Sequence, residues 1–307
     1  MRGSMYDLVI IGGGIAGFGA AMYAGRMQLK TLLLAEARGG TILLAPFVEN
    51  YPGFGRLTGA ELFKKIERHA EEYSTEVKNE KAVEIEKNKG KFIIKTGEKT
   101  YESKTVLLAT GTELRKLNVH GEKEFEGKGV HYCALCDGFF YKDKIVGVVG
   151  GSDSAAKEAL LLSQWAKKVY IIYRKEKIRA EPVITERIMK NKKIEIINNT
   201  DVVEIKGDKF VTDVILDKAH KGNKEFKLDG LFIDIGRIPL SDLAKKLGVK
   251  TNKKEEIITD KESKTNIPYI FAAGDVTNSE YKQAVTGVAE GVRAVFSAYE
   301  YIKHNRT

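Results

Sequence analysis

The sequence predicts an α/β protein of two domains, each a parallel sheet with helices packed against it, the second domain being inserted into the first. Three observations predict this arrangement. A buried strand, a glycine-rich turn and a helix follow one another around residues 12–17, and the same succession recurs around residues 150–155. Near residue 270 a further apolar strand ends in Gly274-Asp275 and returns the chain to the first domain. Both copies predict a three-layer ββα, Rossmann-like domain that binds a dinucleotide.

The first glycine-rich turn carries a complete dinucleotide fingerprint. An apolar strand leads into GGGIAG at residues 12–17, a helix follows, and a second strand ends at Glu36, 24 positions after Gly12. In this pattern Gly12 permits the tight turn, Gly14 lets the backbone approach the pyrophosphate, and Gly17 lets helix and strand pack closely. The phosphates lie at the positive end of the helix, and Glu36 is suited to accept hydrogen bonds from a ribose.

The other elements of the outer domain are predicted from apolar periodicity. Strands are predicted at residues 6–11, 31–35, 82–85, 91–95, 99–101, 105–109 and from 267, and helices at 59–73 and from about 283 to 302. The three strands between 82 and 101 predict a small antiparallel meander. Residues 105–109 form a separate buried strand that ends at Thr110-Gly111, where small residues let the chain pass close to a cofactor.

The two cysteines of the chain, Cys133 and Cys136, are separated by two residues and followed by Asp137. Such a pair closes and reopens a small ring reversibly, and the carboxylate is placed to move protons during the exchange. Half of a zinc site is an alternative, but it requires further ligands that would have to come from a second chain. A structural disulfide is another, although a loop this short stabilises little. The context favours a redox-active pair.

The second glycine-rich turn begins at Gly150, and the strand after its helix ends in Arg174-Lys175, 24 positions later, with Arg179 close behind. Basic residues where the first copy has an acid suit a 2′-phosphate, and they predict NADPH. One departure is Ser152, which stands where the middle glycine is expected and crowds the pyrophosphate. Strands of this domain are predicted at 144–149, 169–173, 194–197, 210–216 and 230–235, and a helix at 156–165.

The chain crosses back at residues 236–239, so the predicted domains are 1–114 with 239–307, and 115–238. Residues 1–4 are interpreted as a vector-derived leader. Five histidines have no motif around them and are interpreted as surface or packing residues: His69, His120, His131, His220 and His304.

The bulk composition excludes several classes of function. The net charge is +9, but lysines and glutamates are interspersed and no basic run carries interleaved aromatics, so nucleic acid is not predicted as a partner. No apolar run approaches the ~20 residues that cross a membrane, and no secretory signal is visible. A single Cys-x-x-Cys pair without other cysteines is typical of a reducing, cytoplasmic environment.

From end to end the chain resembles the low-molecular-weight thioredoxin reductases, archaeal members included, of the FAD-dependent pyridine nucleotide-disulfide oxidoreductases. The matching segments are GGGIAG at 12–17, Gly39-Gly40, ENYPG at 49–53, ATG at 109–111, CALCDG at 133–138, GDV at 274–276 and Gln283-Ala284. The resemblance implies FAD in the outer domain, NADPH in the inserted one, a homodimer, and a thioredoxin-like or glutaredoxin-like protein as substrate.

The resemblance also assigns roles by position. Cys136 lies nearest the flavin, Cys133 attacks the partner's disulfide, and Asp137 is the general acid and base. Residues implied to bind FAD are Gly12, Gly14, Ile15, Ala16, Gly17, Glu36, Gly39, Gly40, Thr41, Asn50, Val83, Ala109, Thr110, Gly111, Gly274, Asp275, Lys282, Gln283 and Ala284. Those implied to bind NADPH are Gly151, Ser152, Asp153, Ser154, Arg174, Lys175, Arg179, Gly236 and Arg237.

Two departures from the family pattern bear on the electron donor. The family often has Gln where this chain has Thr41, and its phosphate-binding His-Arg-Arg-x-x-x-Arg motif appears here as Tyr173-Arg174-Lys175 with Arg179. Two alternatives therefore stand beside NADPH-dependent reduction. One is the same flavin and dithiol chemistry with a different electron donor. The other is a flavin-binding redox sensor with little turnover.

Overall fold

The computed structural model describes residues 5–73 and 75–304, and the leader assigned to residues 1–4 lies outside them. The chain divides into two compact units. The first contains the described residues up to Leu43, Val48–Glu113 and those from Ile238 onward, and the second contains Leu44–Phe47 and Leu114–Arg237.

The described residues form seventeen strands, seven α-helices and two short 3₁₀ helices. The strands are β1 Tyr6–Gly14, β2 Thr31–Gly39, β3 Glu76–Lys78, β4 Ala82–Asn88, β5 Lys91–Thr96, β6 Thr100–Leu108, β7 Thr112–Leu114, β8 Val130–His131, β9 Ile145–Val149, β10 Lys168–Tyr173, β11 Ile194–Asn198, β12 Val202–Gly207, β13 Val211–His220, β14 Asn223–Lys227, β15 Gly230–Ile233, β16 Arg237–Pro239 and β17 Ile270–Ala272. The α-helices are α1 Ile15–Arg26, α2 Gly59–Glu71, α3 Ala134–Asp137, α4 Asp153–Leu162, α5 Pro182–Lys190, α6 Asp242–Lys246 and α7 Ala284–His304, and the 3₁₀ helices are Gly40–Leu44 and Gly138–Tyr141.

The first unit is built on a sheet in the order β3-β2-β1-β6-β5-β4, with β17 also paired to β6. Strand β1 lies between β2 and β6 and runs parallel to both. Its residues Leu8, Val9 and Ile10 are fully buried. A strand covered on both faces must be apolar on both, which explains the unbroken apolar run in the sequence.

Helices α1 and α7 pack against each other through small side chains. A Cβ added to Gly291 of α7 would lie 2.6 Å from the carbonyl oxygen of Ala16 in α1, so only glycine permits this approach. The two helices share a core with Leu8, Leu33 and Leu107 of the sheet. This close packing holds the start of α1 beside the first glycine-rich turn.

The predicted antiparallel meander is present, since β5 pairs antiparallel with both β4 and β6, but the prediction of two separate strands at its end is wrong. The strands expected at 99–101 and 105–109 are one continuous strand, β6. Its first half pairs antiparallel with β5 and its second half pairs parallel with β17, so the meander extends the main sheet. Phe92 and Ile94 of β5 pack into the same core as Val9 and Leu32 of the parallel strands.

The second unit repeats the parallel arrangement in a five-stranded sheet, ordered β11-β10-β9-β15-β8. Strand β9 pairs parallel with both β10 and β15, as β1 does with its neighbours. A three-stranded antiparallel sheet, β12-β13-β14, belongs to the same unit. Strand β9, the turn after it and α4 thus repeat the organisation of β1, its turn and α1.

The observed division differs slightly from the predicted domains, 1–114 with 239–307 and 115–238. The two connections between the units pair with each other as β7 and β16, and the division falls within these strands. Residues Leu44–Phe47 also belong to the second unit, because the side chain of Phe47 is buried in its core with Ala159 and Leu162. Nothing in the sequence around Phe47 indicates this packing.

Candidate active site

The Cys-x-x-Cys segment lies in the second unit between β8 and α4, and its cysteines form a disulfide. Cys133 is the N-cap of the short helix α3, and its Cα lies 5.3 Å from that of Cys136. The backbone N–H of Cys136 donates to Cys133 Sγ at 3.1 Å. Such a donor favours a thiolate on Cys133 when the disulfide opens, because hydrogen bonding stabilises the charged form.

The two sulfur-bearing residues differ in exposure. Cys133 is 7% exposed, whereas Cys136 is exposed. Apolar side chains on the same segment face solvent as well, with Leu135 at 36%, Phe139 at 64% and Phe140 at 77%. Two neighbouring phenylalanines that remain this exposed form an apolar surface next to the dithiol, a feature typical of protein-binding surfaces.

Asp137 is held by a histidine that the sequence pattern had indicated as a surface or packing residue. His131 Nδ1 lies 3.1 Å from Asp137 Oδ2, and the histidine side chain is only 9% exposed. On the other side of the ring, His131 Nε2 lies 2.6 Å from the hydroxyl of Tyr141. His131 packs against Tyr141 and Phe232, as expected of a packing residue, but its contact with Asp137 was not predicted, because the two residues are six positions apart in the sequence.

A buried acidic group lies at the start of α3. Glu158 of α4 accepts from the backbone N–H of Ala134 at 3.4 Å. Burial, with a contribution from Asp234, raises the pKa of Glu158 to about 8. Burial also raises the pKa of Asp234, against the opposing effect of Arg237. Among the described residues, Glu158 Oε2 and Arg237 Nη1 are buried without a hydrogen-bond partner, which leaves polar groups available to a ligand.

The turn after β1 has the geometry of a pyrophosphate cradle. A Cβ on Gly12 would lie 2.1 Å from the carbonyl oxygen of Ala109, and one on Gly17 would lie 2.0 Å from that of Gly12, so both must be glycine. A Cβ on Gly14 would instead meet open space, with Gly39 oxygen 3.9 Å away. Gly14 caps α1 without a side chain, and the first turn of α1 has no acidic residue. This helix end, which no side chain caps, therefore fits the phosphates of FAD.

The other residues expected to bind FAD converge on this turn from several elements. Gly14 pairs with Gly39 at the ends of β1 and β2, next to Gly40 and Thr41. A Cβ on Gly274 would lie 3.0 Å from that of Ala16, which brings the Gly274-Asp275 segment to the start of α1.

Polar contacts link several of these residues. Asn50 donates to Gln283 Oε1 at 3.0 Å, and the hydroxyl of Thr110 donates to the carbonyl oxygen of Leu240 at 2.7 Å. Lys282 Nζ donates to the carbonyl oxygen of Asp275 at 3.0 Å. Lys282 thus holds the Gly274-Asp275 segment, and its contact with the cofactor stays a prediction.

Two expected FAD residues lie at the periphery of the first unit. Glu36 forms an ion pair with Lys81 at 3.0 Å, and both side chains are about 60% exposed. A ribose hydroxyl has access to this carboxylate at the end of β2. Val83 lies on β4 and is 44% exposed.

Glu290 of α7 is a residue of this site that no sequence motif indicated. It is 8% exposed and accepts from the backbone N–H of Gly274 at 2.8 Å, and the hydroxyl of Thr277 donates to the same oxygen at 3.3 Å. It therefore fixes the turn that carries Asp275. The available signal was a carboxylate on the small-residue face of α7, one turn from Gly287.

The turn after β9 resembles the first turn in its backbone. It differs in that side chains of the turn itself occupy the N-terminal end of the helix that follows, α4. Ser152 caps α4, and its Oγ accepts from the backbone N–H of Ala155 at 3.2 Å. Asp153 lies in the first turn of α4 and pairs with Lys157 at 2.6 Å. The ring of Tyr173 stands where a Cβ on Gly151 would be, 2.5 Å away. This turn fits a pyrophosphate less closely than the first.

Three cationic residues expected to contact NADPH follow β10 in the chain. Arg174, Lys175 and Arg179 are exposed, and the backbone N–H of Arg179 donates to the carbonyl oxygen of Gly151 at 2.6 Å. A Cβ on Gly150 would lie 2.0 Å from the oxygen of Asp234, so the segment leading to Gly236 and Arg237 also approaches the turn. Ser154 lies in the first turn of α4. These residues supply donors for a phosphate-rich ligand.

Neither a metal cluster nor a membrane-spanning helix is found in the described part of the chain. Residues 5–73 and 75–304 contain no group of three or more His, Cys, Asp or Glu that could hold a metal ion. Within the same ranges, no helix has the length and apolar character needed to span a membrane.

Comparison with known proteins agrees with this geometry. The family model "Pyridine nucleotide-disulphide oxidoreductase" matches residues 6–291. A thioredoxin reductase of Listeria innocua is 40% identical over 302 residues, covering 97% of this chain and 94% of the relative. Crystal structures of thioredoxin reductases from Lactococcus lactis and T. acidophilum have TM-scores of 0.93 and 0.92. Each is 38% identical and covers 97% of this chain, with 99% of its own chain matched.

These matches confirm the expected two Rossmann-like domains and the expected enzyme class, a flavoprotein disulfide reductase of a family that uses FAD and NADPH. The chain belongs to the pyridine nucleotide-disulphide oxidoreductases and, within them, to the thioredoxin reductases.

Proposed function

We propose that the protein passes electrons from NADPH through FAD to the Cys133–Cys136 disulfide, and from there to the disulfide of thioredoxin or a thioredoxin-like protein. The observation that carries the proposal is this disulfide with Asp137 beside it, in a chain that has two dinucleotide-type units. A redox-active disulfide needs a source of electrons, and the two dinucleotide-type units offer sites for the NADPH and FAD that would supply them.

The chemistry on the protein side balances in two steps. In the first, two electrons break the S–S bond and two protons are taken up, which gives two thiols. In the second, the Cys133 thiolate attacks the partner's disulfide, and Cys136 then releases the partner as a dithiol while the Cys133–Cys136 bond re-forms. The N–H of Cys136 stabilises the thiolate on Cys133, and Asp137 moves the proton to and from the pair.

Bound FAD would supply the link between hydride transfer from the nicotinamide and reduction of the disulfide. The residues that would hold it are the bare amides at Gly14 and the start of α1, with Glu36 for the ribose and the Gly274-Asp275 turn that Glu290 fixes. Arg174, Lys175 and Arg179 would contact the 2′-phosphate of NADPH, and Arg237 offers a buried donor. The contact of Cys136 with the flavin remains part of the same proposal.

The exposed apolar surface formed by Leu135, Phe139 and Phe140 supports a protein as the final acceptor. A small disulfide would not require apolar surface beyond the sulfur atoms. The net charge of +9 favours association with an acidic partner. A homodimer and a cytoplasmic location belong to the proposal on the strength of the family and of the paired cysteines.

Replacement of either cysteine tests the proposal. In Cys133→Ser and Cys136→Ser, reduction of thioredoxin by NADPH should fall by at least about 10³-fold, because no disulfide forms to receive electrons. Reduction of ferricyanide by NADPH should remain within about twofold of wild type, since the flavin can pass electrons to this acceptor without the dithiol. Thioredoxin turnover that persists in both variants would contradict the proposed route.

A different electron donor is the second candidate, and the closed end of α4 favours it. Ser152 and Asp153 occupy the helix end with their own oxygen atoms, whereas the start of α1 is open. Anaerobic titration of the flavoprotein with NADPH and with NADH distinguishes the two. Loss of the flavin's visible absorbance with NADPH supports the main proposal. A flavin reduced only by dithionite would favour the other donor.

A further inference from the structure

We propose that His131 is a positioning residue for the proton transfers of the dithiol, acting through Asp137, and that Tyr141 fixes the tautomer in which it does so. The inference rests on the proposed disulfide-reductase function and goes beyond it, because that function assigns no role to His131. It concerns residues of the second unit only: the end of β8, the helix α3 and the 3₁₀ helix after it.

The geometry forms an ordered chain of three polar groups. Asp137 Oδ2 lies 3.1 Å from His131 Nδ1, and His131 Nε2 lies 2.6 Å from the hydroxyl of Tyr141. The imidazole ring stacks on Phe232 of β15 at an interplanar angle of 27°, with ring centroids 5.2 Å apart. Tyr141 packs edge-on against both rings. The ring therefore has one fixed plane, and its two nitrogens have one partner each.

The position of the ring proton follows from these partners. A carboxylate beside Nδ1 favours a proton on that nitrogen, because two unprotonated acceptors would repel each other. Burial lowers the pKa of His131, against the opposing effect of Asp137, so the neutral ring is favoured and Nε2 must then accept. Tyr141 is suited to donate, because burial and the nearby carboxylates of Asp137 and Asp229 raise its pKa to about 12.

Three elements place groups against the Asp137–His131–Tyr141 hydrogen-bonded chain in the described structure. Asp137 faces the ring from α3, and Tyr141 faces it from the 3₁₀ helix. From β15 the facing group is the uncharged ring of Phe232. Asp229 acts on Tyr141 and is itself bound by Lys144 at 3.6 Å and by the backbone N–H of Ile145.

The consequence for chemistry is a carboxylate with one oxygen held and one oxygen available. The N–H of His131 holds Oδ2, which fixes the side-chain rotamer of Asp137. The second oxygen remains for the proton that moves between Asp137 and the cysteine pair. The same logic explains how a buried acid orients a histidine in a catalytic triad, with the roles here reversed.

The test measures thiol–disulfide exchange without any nucleotide. Enzyme reduced by dithionite is mixed with oxidised thioredoxin in a stopped-flow instrument. The rate of thioredoxin reduction is recorded between pH 5.5 and 9. In His131→Leu, which removes the donor, we expect the rate at pH 7 to fall about tenfold or more. We also expect the acid-side limb of the profile, where the rate rises with pH, to move to higher pH by roughly one to two pH units. This shift corresponds to the free energy of one lost hydrogen bond to a charged group.

Matched variants separate this role from a structural one. His131→Asn can place an amide N–H where Nδ1 lies, so it should restore most of the rate and the position of the limb. His120→Leu is the control, since the His120 side chain is exposed on the same unit and lies 3.6 Å from Glu204. Tyr141→Phe should have a smaller effect than His131→Leu, because it releases the tautomer without removing the ring.

A second readout is independent of activity. In ¹⁵N-histidine NMR spectra of the oxidised protein, His131 should show a protonated Nδ1 and an unprotonated Nε2 at pH 7. In Tyr141→Phe the two tautomers should mix. A proton found on Nε2 in the wild type would overturn the inference directly.

The remaining outcomes are also decisive. If His131→Leu keeps the wild-type rate and limb, or if His131→Asn is as slow as His131→Leu, the positioning role is wrong although the disulfide reductase stands. If wild-type protein does not exchange with thioredoxin while the flavin is reduced, both the function and the inference fail.

Discussion

Glu158 is a buried carboxyl group whose ionisation is linked to the stability of the fold. Its pKa is raised to about 8 by burial first and by Asp234 second, above the ordinary value of 4.5. Between these two pH values an unfolded chain has lost the proton while the folded chain still holds it. The folded state is therefore penalised progressively as pH rises from about 4.5 to about 8, and the penalty is then constant.

Glu158→Gln should remove this pH-dependent penalty. Gln does not titrate, and its side-chain oxygen can still accept from the N–H of Ala134. At about 1.4 kcal/mol per pH unit, the wild-type cost reaches a few kcal/mol above pH 8. The melting temperature of the variant minus that of the wild type should therefore be several degrees higher at pH 8.5 than at pH 5.5, as measured by circular dichroism.

Glu124→Gln is the matched control for this experiment, because Glu124 is an exposed glutamate of the same unit. Its melting temperature relative to wild type should be the same at both pH values. An equal pH response of the two variants would show that Glu158 is ionised in the folded protein across this range, and the proposed penalty would then be absent.

The residues that carry local patterns were predictable from the sequence, and those defined by distant contacts were not. The glycines and the Cys-x-x-Cys pair stand in motifs whose spacing has a mechanical reason. His131 and Glu290 have no such spacing, since each acts on a backbone or side chain that only the fold brings near. In the sequence, His131 is a histidine without a motif, and Glu290 is a single glutamate among small residues of a predicted helix.

The two strand–turn–helix elements share one backbone plan and differ at the helix end. Helix α1 begins at Gly14 with no side-chain cap and no acid in its first turn. Helix α4 begins at Ser152, whose hydroxyl accepts from Ala155 N–H, and has Asp153 in its first turn. An anion at α4 must compete with these oxygen atoms, whereas at α1 it meets free amides. This contrast predicts tight FAD binding and weaker NADPH binding.

Ser152→Gly should improve NADPH binding. It removes the Cβ and frees the N–H of Ala155, while loss of the cap costs only a few tenths of a kcal/mol because glycine is itself tolerated at this position. We expect the KM for NADPH in ferricyanide reduction to fall about threefold or more, with kcat little changed.

Thr58→Gly controls for the loss of a helix cap. Thr58 caps α2 in a complete capping box with Glu61, far in sequence from either nucleotide turn. Its removal should leave the KM for NADPH unchanged. An unchanged or higher KM in Ser152→Gly would show that the serine hydroxyl assists the nucleotide instead of competing with it.

Strand β6 shows why element boundaries were harder to predict than element types. The polar residues Glu102, Ser103 and Lys104 interrupt its apolar pattern, so the sequence indicates two strands. In the structure the interruption marks a change of partner, from antiparallel β5 to parallel β1 and β17, and the backbone continues without a turn. Apolar periodicity records burial, and it does not record which strand lies alongside.

At the scale of the whole molecule, the insertion of one dinucleotide-type unit into another was predictable because the same motif occurs twice and the chain returns at Gly274-Asp275. The assignment of Leu44–Phe47 to the second unit was not, since it depends on the single buried side chain of Phe47. The dithiol belongs to the inserted unit, and the glycine-rich turn proposed to bind FAD belongs to the outer one. Electron transfer between two units through one disulfide is thus the central claim.

The measurement that tests this claim most directly is thiol trapping in a single turnover. Anaerobic holoenzyme receives NADPH, is divided, and one half receives oxidised thioredoxin before both are alkylated with iodoacetamide. Mass spectrometry of the peptide that contains Cys133 and Cys136 then counts the labelled thiols. We predict two labels after NADPH and none after thioredoxin. A peptide that remains unlabelled after NADPH while the flavin is reduced and thioredoxin still becomes reduced would contradict the proposed electron route.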